Sequence, residues 1–329
     1  MMQRLLGVLA AFIGFGVVAV ALWLYRSHGW NPLAAFVFAL AIPVAIDAGL
    51  LGMQFAIGAL ARARESGERY GFAASLRAWG AEIVASLRTY FWGQIRYGDA
   101  TLPSADAGRR TPVLLVHGYI CNRGIWHPFA RWLAGRDHPV DSVNLEPLFG
   151  TIDDYVPIIA EGVRRLRERT GRDRVAIVAH SMGGVATRAY LAREGAASVC
   201  GVVTLGSPHA GTWLARCGHG INVGQMRVGC EWLSALGGRE SPATGALFTT
   251  IWSPHDNIVM PQKAAQRLPG ATAVAVPGRG HLQLAYDPEV WRIATEAIEA
   301  RCSASDPRQA AALRSEGRAS VAATPPDPA

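Results

Sequence analysis

The N-terminus of this chain carries a long apolar run that must lie in a membrane or inside a protein core. The run Leu5–Tyr25 has 21 residues without a formal charge, and a helix of that length spans the hydrocarbon core of a bilayer, about 30 Å. A second apolar stretch, Leu33–Ala61, is interrupted by Pro43 and Asp47. Its apolar side chains outweigh the cost of one carboxylate in lipid. The two stretches predict a transmembrane helical hairpin over residues 1–61, with residues 5–61 in contact with the membrane.

Other interpretations of the same runs stay open, namely a buried helix pair in a soluble protein and a cleaved secretory signal. The first run is longer than the usual apolar region of a signal, about 7–15 residues. Arg4, Arg62, Arg64 and Arg69 flank the predicted hairpin, whereas its connecting loop has only Arg26. The positive-inside rule therefore predicts a protein of the bacterial inner membrane whose following domain lies in the cytoplasm.

The charge pattern and the cysteine spacing argue against a nucleic-acid partner and against a structural metal site. Of the 32 basic residues 31 are arginines, and they are scattered instead of forming the basic stripe of a nucleic-acid surface. We expect no nucleic-acid partner. The chain has five cysteines without CxxC or zinc-ligand spacing, so no metal site is expected. Their odd number is typical of reduced thiols, and a Cys217–Cys230 disulfide is the alternative in an oxidising compartment.

Residues 62–110 predict a juxtamembrane helix followed by a linker. Apolar residues recur there every three or four positions, which predicts an amphipathic helix: Phe72, Leu76, Trp79, Ile83, Leu87 and Phe91. Such a helix would lie either against anionic lipid or on the next domain, and both possibilities stay open. Residues 99–111 predict the linker, and residues 303–329 predict a disordered tail.

Residues 111–302 alternate short apolar runs with helical patterns. Thr111–His117, Arg174–Ala179 and Cys200–Leu205 are typical of buried parallel strands, and stretches with helical periodicity separate them. This order predicts an α/β domain with a doubly wound, mostly parallel sheet and helices on both faces. In such sheets the functional residues lie at the carboxyl ends of the strands.

One serine stands at such a strand end, between small residues. The segment Ala179–Gly184, AHSMGG, follows a predicted strand and precedes a predicted helix, and a serine in such a turn projects its hydroxyl from the sheet. Asp256 follows the strand-like run 246–252, and His281 follows the run 271–276. The three side chains thus occur in the order Ser, Asp, His.

With these motifs the chain resembles the α/β-hydrolase superfamily, and within it bacterial serine lipases and esterases. The segments that carry the resemblance are VLLVHGY (113–119), AHSMGG (179–184), TLGSPHAGT (204–212), SPHD (253–256) and GRGH (278–281). They cover about 190 residues in the order of the family. Ala179 stands where glycine is more common. The resemblance implies an α/β-hydrolase fold and a triacylglycerol lipase-like or carboxylesterase activity, and it does not include the N-terminal hairpin.

The chemistry of this family requires a nucleophile, a base and a group that orients the base. Ser181 is the predicted nucleophile, His281 the base and Asp256 its partner; Asp287 and Glu289 are the rival carboxylates. Four other histidines belong to strand-end motifs and precede or adjoin the predicted acid: His117, His180, His209 and His255.

The resemblance further implies an oxyanion site made by the backbone N–H groups of Tyr119 and Met182. No metal or organic cofactor is implied. Residues 211–245 are apolar with interspersed glycines and are interpreted either as a mobile lid or as ordinary core helices.

The sequence thus predicts a membrane-anchored serine hydrolase that cleaves apolar carboxylic esters, with a lipid or apolar ester as substrate. A thioesterase, amidase or acyltransferase would use the same residues. A membrane-tethered scaffold without turnover is the alternative from another class. The motifs leave the acyl chain and the oligomeric state open.

Overall fold

The computed structural model describes residues 1–66, 71–106 and 108–303. Two sequence predictions fall outside the described residues: the tail beyond Ser303, and Arg69, one of the arginines used to predict the membrane orientation. The chain begins with two long helices, α1 (Met2–His28) and α2 (Pro32–Ser66). They pack against each other through Val17, Ala21 and Leu24 of α1 and two small residues of α2, Ala35 and Ala39.

This helix pair confirms the predicted N-terminal hairpin of apolar helices. Both helices are long and apolar enough to cross a membrane. Large apolar side chains on α1 are exposed: Val8, Phe12 and Phe15 are 70%, 74% and 73% exposed. Asp47 of α2 does not face outward, because its carboxylate accepts a hydrogen bond from Ser86 Oγ at 3.1 Å.

The predicted juxtamembrane helix is α3 (Phe72–Arg88), which a π-helical turn (Thr89–Gly93) joins to the short α4 (Gln94–Tyr97). Its periodicity predicted the helix, but the apolar stripe is not the buried face: Phe72 and Leu76 are 82% and 48% exposed. The buried face consists of Ala78, Glu82, Ala85 and Ser86. Small side chains on that face allow α3 to approach the rest of the protein closely. Of the large apolar residues, Phe72 and Leu76 remain exposed, whereas Trp79 is partly buried and donates to the carbonyl of Ala48 of α2 at 2.9 Å.

The main domain is built on a six-stranded parallel sheet of order β2-β1-β3-β4-β5-β6. Its strands are β1 (Val113–Val116), β2 (Val140–Val143), β3 (Val175–His180), β4 (Val199–Leu205), β5 (Phe248–Trp252) and β6 (Thr272–Ala275). The predicted doubly wound sheet is confirmed. Strand β2 was not predicted, because two of its four residues, Asp141 and Ser142, are polar.

Helices cover both faces of this sheet. After β1 come α5 (His127–Ala134), α6 (Tyr155–Thr170), α7 (Met182–Glu194), α8 (Ile221–Gly224), α9 (Glu231–Arg239), α10 (Pro242–Gly245) and α11 (Pro288–Ser303). Two buried apolar clusters result: one joins the sheet to α6 and α7, and the other joins it to α5 and α11. Helices thereby pack on both faces of the sheet, and a functional site can form on the loops at its carboxyl edge.

A disulfide joins Cys200 at the start of β4 to Cys302 near the end of α11. The expectation of reduced thiols is therefore wrong for these two residues, and the alternative Cys217–Cys230 pair does not form, since both cysteines are free. The bonded residues are separated by 102 positions in the sequence. Only the packing of α11 on the sheet brings them together, so the spacing of the cysteines held no local signal.

Candidate active site

Ser181 occupies a strained turn between β3 and α7. Its φ of 54° and ψ of −126° lie in a region that residues with a Cβ seldom adopt. The turn is possible because neighbouring glycines leave room: a Cβ on Gly183 would come 2.5 Å from the carbonyl oxygen of His117. Ser181 N–H donates to the carbonyl of Leu205 at 2.9 Å, which ties the turn to β4.

The structure brings the three side chains predicted from the sequence into one chain of hydrogen bonds. His281 Nε2 lies 2.9 Å from Ser181 Oγ, and His281 Nδ1 lies 2.9 Å from Asp256 Oδ2. Ser181, His281 and Asp256 are exposed by only 8%, 4% and 2%. Loops after β3, β5 and β6 supply them, so the carboxyl edge of the sheet holds the whole group. An imidazole so placed can accept the serine proton while its other nitrogen donates to the carboxylate.

The pKa of His281 is raised above its ordinary value of 6.5. Burial alone lowers this pKa, but the charge of Asp256, the hydrogen bond to it and the charge of Glu82 raise it by more. The protonated imidazole is thus stabilised where it would form. Asp256 is itself fixed, since its Oδ1 accepts the N–H groups of Ile258 and Val259, both at 2.8 Å.

The competing histidines are engaged elsewhere. His117 Nε2 accepts the N–H of Leu145 at 3.0 Å, and His255 Nδ1 accepts that of Gly278 at 3.0 Å. His180 Nε2 bonds the carbonyl oxygen of His281, and His209 Nε2 bonds Thr204 Oγ1. Burial lowers the pKa of His117 and of His255 to about 4 and that of His180 to about 3. These imidazoles are neutral structural groups at neutral pH.

The rival carboxylates do not contact His281. Asp287 caps α11, accepting the N–H groups of Glu289 at 2.9 Å and Val290 at 3.3 Å, and its other oxygen pairs with Arg279 at 3.2 Å. Glu289 also pairs with Arg279. Both acids complement a helix N-terminus, which is the usual place for such residues.

The predicted oxyanion donors are the N–H groups of Tyr119 and of Met182, the residue that follows Ser181. Met182 begins α7, where backbone N–H groups have no partner within the helix. The loop that precedes Tyr119 is also close, because a Cβ on Gly118 would lie 2.8 Å from Ser181 Cβ. A carbonyl oxygen bound between the two loops could receive both donors.

Residues 211–245, termed here the cover segment, combine core packing with an exposed apolar surface. Leu233, Leu236 and Met226 pack into the core cluster with α6 and α7. Trp213 and Ile221 are instead 40% and 63% exposed. The segment contacts the loop after β1, where Tyr119 Oη donates to the carbonyl of His219 at 2.6 Å.

Helix α2 also contacts the loop that carries Asp256, which the sequence did not predict. Asn257 links the two: its Oδ1 accepts the N–H of His281 at 3.0 Å, and its Nδ2 donates to Gln54 Oε1 of α2 at 2.8 Å. Gln262 Nε2 donates to the carbonyl of Gly58 at 3.1 Å, and Arg62 donates to the carbonyl of Pro254. Within the described part of the chain, no group of three or more His, Cys, Asp or Glu residues could hold a metal ion.

Comparisons with known proteins agree with this architecture. The sequence model of the PGAP1-like alpha/beta domain family matches residues 151–261, about a third of the chain, and this range includes Ser181 and Asp256. A mature Bacillus licheniformis lipase is similar in structure, with a TM-score of 0.52 and 18% identity over 61% of this chain and 96% of that lipase. Aspergillus fumigatus lipase B has a TM-score of 0.51 and 22% identity over 61% of this chain; the match spans 55% of that lipase.

Proposed function

We propose that this protein is a membrane-anchored serine hydrolase that cleaves apolar carboxylic esters. It has the α/β-hydrolase fold, which it shares with these lipases. The observation that carries the proposal is the position of His281, with one ring nitrogen 2.9 Å from Ser181 Oγ and the other 2.9 Å from Asp256. A serine activated in this way attacks carbonyl carbon.

In the proposed reaction Ser181 Oγ attacks the ester carbonyl carbon while His281 Nε2 takes the serine proton. The carbonyl oxygen becomes an oxyanion, which accepts hydrogen bonds from the N–H groups of Tyr119 and Met182. The ester C–O bond then breaks, and the leaving alcohol takes the proton from His281. The acyl group stays bonded to Ser181 Oγ as an acyl-enzyme. Water then attacks its carbonyl carbon while His281 Nε2 takes a proton from the water; the bond from carbon to Ser181 Oγ breaks, and Oγ takes that proton back as the acid leaves.

Exposed apolar residues next to Tyr119 and in the cover segment support an apolar acyl group. Phe149 lies 6.1 Å from the ring of Tyr119, centroid to centroid, and is 39% exposed. Trp213, Ile221 and Val228 of the cover segment are exposed by 40%, 63% and 41%. Such a surface favours a substrate with an apolar chain, because that chain would contact these exposed residues on binding.

The exposed apolar surface of α1 and α2 supports anchoring in a membrane. Side chains such as Phe12 and Phe15, which are 74% and 73% exposed, would face water in a soluble monomer, at a cost of about 25 cal/mol per Å² of apolar area. Lipid removes this cost. The anchoring is tested by extracting membranes with alkaline carbonate: we expect the protein to stay in the pellet, and release into the supernatant would contradict an integral anchor.

Two features favour opposite orientations of the domain. The arginines around α1 and α2 predict the cytoplasmic side. The Cys200–Cys302 disulfide is typical of an oxidising compartment. We keep the cytoplasmic orientation as the prediction, and the state of these two cysteines in cells is the measurement that can overturn it.

The first experiment compares hydrolysis of p-nitrophenyl esters with short to long acyl chains by the solubilised protein and its Ser181→Ala variant. We expect activity in the parent and its loss in the variant. Equal activity in both would contradict the serine mechanism. A folded parent that is inactive on every ester, yet labelled at Ser181 by a fluorophosphonate, would move the proposal to a thioester or amide substrate, and an unlabelled serine would indicate a scaffold.

A further inference from the structure

A carboxylate outside the predicted triad lies directly behind the loop of His281. Glu82, on the buried face of α3, is 1% exposed. Its Oε1 accepts the N–H of Leu282 at 2.8 Å, and its Oε2 accepts the N–H of Gln283 at 2.9 Å. These two residues follow His281 directly. A helix that precedes the sheet by some 25 residues thus binds the loop that carries the proposed base.

Side chains hold this loop at three successive backbone positions. The N–H of His281 donates to Asn257, and the next two N–H groups donate to Glu82. Gly280 completes the contact, because a Cβ there would collide with the Glu82 carboxylate. Two side chains therefore bind the backbone of the His281 loop, and of these only Asn257 is a neighbour of the predicted triad in sequence.

The surroundings of Glu82 make its charge costly. Within the described part of the chain no arginine or lysine forms an ion pair with it. The titratable groups that face it are His281 and Asp256 from the loops after β6 and β5, and Tyr90 from the turn after α3. Burial raises the pKa of Glu82 to about 7, although the two N–H groups and His281 oppose the shift.

Protein interiors rarely retain an unpaired carboxyl that apolar packing could replace. The two oxygens of Glu82 satisfy the N–H groups of Leu282 and Gln283, which a side chain with one acceptor could do only in part. The charge of Glu82 also affects the proposed base, because it raises the pKa of His281.

We propose that Glu82 is a positioning residue of the active site, which fixes the backbone of the His281 loop and stabilises the imidazolium by its charge. This inference rests on the proposed serine hydrolase function. It makes the juxtamembrane helix α3 a part of the catalytic unit, so that the segment next to the membrane holds the base in place.

The test uses the full-length protein in detergent and measures kcat and KM for an ester across pH, with Glu82→Gln as the variant. Glutamine keeps the shape but has one acceptor oxygen where the loop needs two, so we expect kcat to fall by about 10- to 100-fold with little change in KM. The acid limb of the kcat/KM profile should move to lower pH, because removal of the negative charge lowers the pKa of His281.

Two further variants make the result interpretable. Glu82→Asp keeps the charge but withdraws it by one methylene, so we expect a lower kcat with the acid limb near its parental position; this variant carries the test if Glu82→Gln does not fold. Glu168→Gln removes an exposed carboxylate on α6, 62% accessible, and should match the parent.

Two outcomes overturn the proposal. One is parental kcat in Glu82→Gln or, if that variant does not fold, in Glu82→Asp. The other is a uniform loss of kcat with the acid limb unmoved, which would show a structural role only. Failure of the serine hydrolase function has a separate signature: the parent itself would neither hydrolyse esters nor react with a fluorophosphonate at Ser181, and both proposals would then fall together.

Discussion

Asp256 Oδ2 lies 2.9 Å from Nδ1 of His281, and both side chains are almost wholly buried. The contact joins two loops that follow adjacent strands, β5 and β6. Its burial matters because a hydrogen bond to a charged group gains strength where water is excluded. The carboxylate can therefore hold the imidazole in one tautomer while the ring exchanges protons with Ser181.

Replacing Asp256 by Asn is expected to lower kcat by about 10⁴-fold, as loss of the orienting carboxylate does in serine proteases. Asp287→Asn is the matched control, because this acid lies near the same loop but caps α11. It should keep its activity and lose at most about 1 kcal/mol of stability. Ester hydrolysis and thermal unfolding of both variants check this. Equal loss of activity in both would contradict the assignment of Asp256.

Gly206, which follows β4, leaves the space in which Asp256 and His281 meet. A Cβ there would lie 3.0 Å from Asp256 Oδ2 and 3.2 Å from His281 Nδ1. We expect Gly206→Ala to reduce kcat by at least about 10-fold, since displacing the pair by a fraction of an ångström weakens both hydrogen bonds.

Gly195→Ala is the control for backbone strain in this experiment. Gly195 and Gly206 both have positive φ, 78° and 56°, so each variant has an unfavourable backbone conformation that costs about 1–3 kcal/mol. No atom lies within 4 Å of a Cβ at Gly195. Its variant should lose stability and keep its kcat, and a similar kcat in the two variants would contradict the steric argument.

The number of free thiols is expected to reveal the Cys200–Cys302 bond. The structure leaves three free cysteines, Cys121, Cys217 and Cys230. Alkylation of the denatured protein with a mass-tagged maleimide should therefore give three adducts without reductant and five with it. Cys200→Ser should give four adducts under both conditions.

Performed on acid-quenched cells, the same count tests the orientation of the domain. Five adducts without added reductant would support the cytoplasmic side that the arginines predict. Three adducts would mean that the bond exists in the cell, and the domain would then lie on the oxidising side.

The sequence predicted what depends on local pattern and motif order. The strands β1, β3, β4, β5 and β6 were visible as apolar runs, whereas β2 was hidden by Asp141, whose charge is paired with Arg165 at 2.8 Å. The places of Ser181 and His281 at strand ends followed from the order of elements. The catalytic roles of Ser181, His281 and Asp256 stay a prediction until activity is measured.

The role of α3 shows why the remainder could not be predicted. Helical periodicity identifies a helix but assumes that its apolar stripe is buried. In α3 the stripe faces outward at Phe72 and Leu76, and the buried face is formed by small residues around Glu82. The only sequence signal was the recurrence of Ala78, Glu82, Ala85 and Ser86 on one face. The contact of Glu82 with residues 282 and 283 is a tertiary contact, and no spacing in the sequence indicates it.

The stability of the protein should depend on pH through Glu82. Its pKa is about 7 in the folded protein against an ordinary value of 4.5, so the folded state binds a proton more tightly than the unfolded state. Stability from this group is fully present below pH 4.5 and is lost as the pH rises through 7. The difference corresponds to about 3 kcal/mol.

Glu82→Gln removes this dependence, because glutamine does not titrate. We expect the difference in melting temperature between variant and parent to shift in favour of the variant from pH 5 to pH 8.5, whatever its absolute sign at pH 5. Thermal unfolding in detergent at several pH values measures it, and Glu168→Gln on the exposed side of α6 should show no such trend. A constant difference between parent and Glu82→Gln would mean that the carboxyl is ionised throughout the range, and that the folded protein does not raise its pKa.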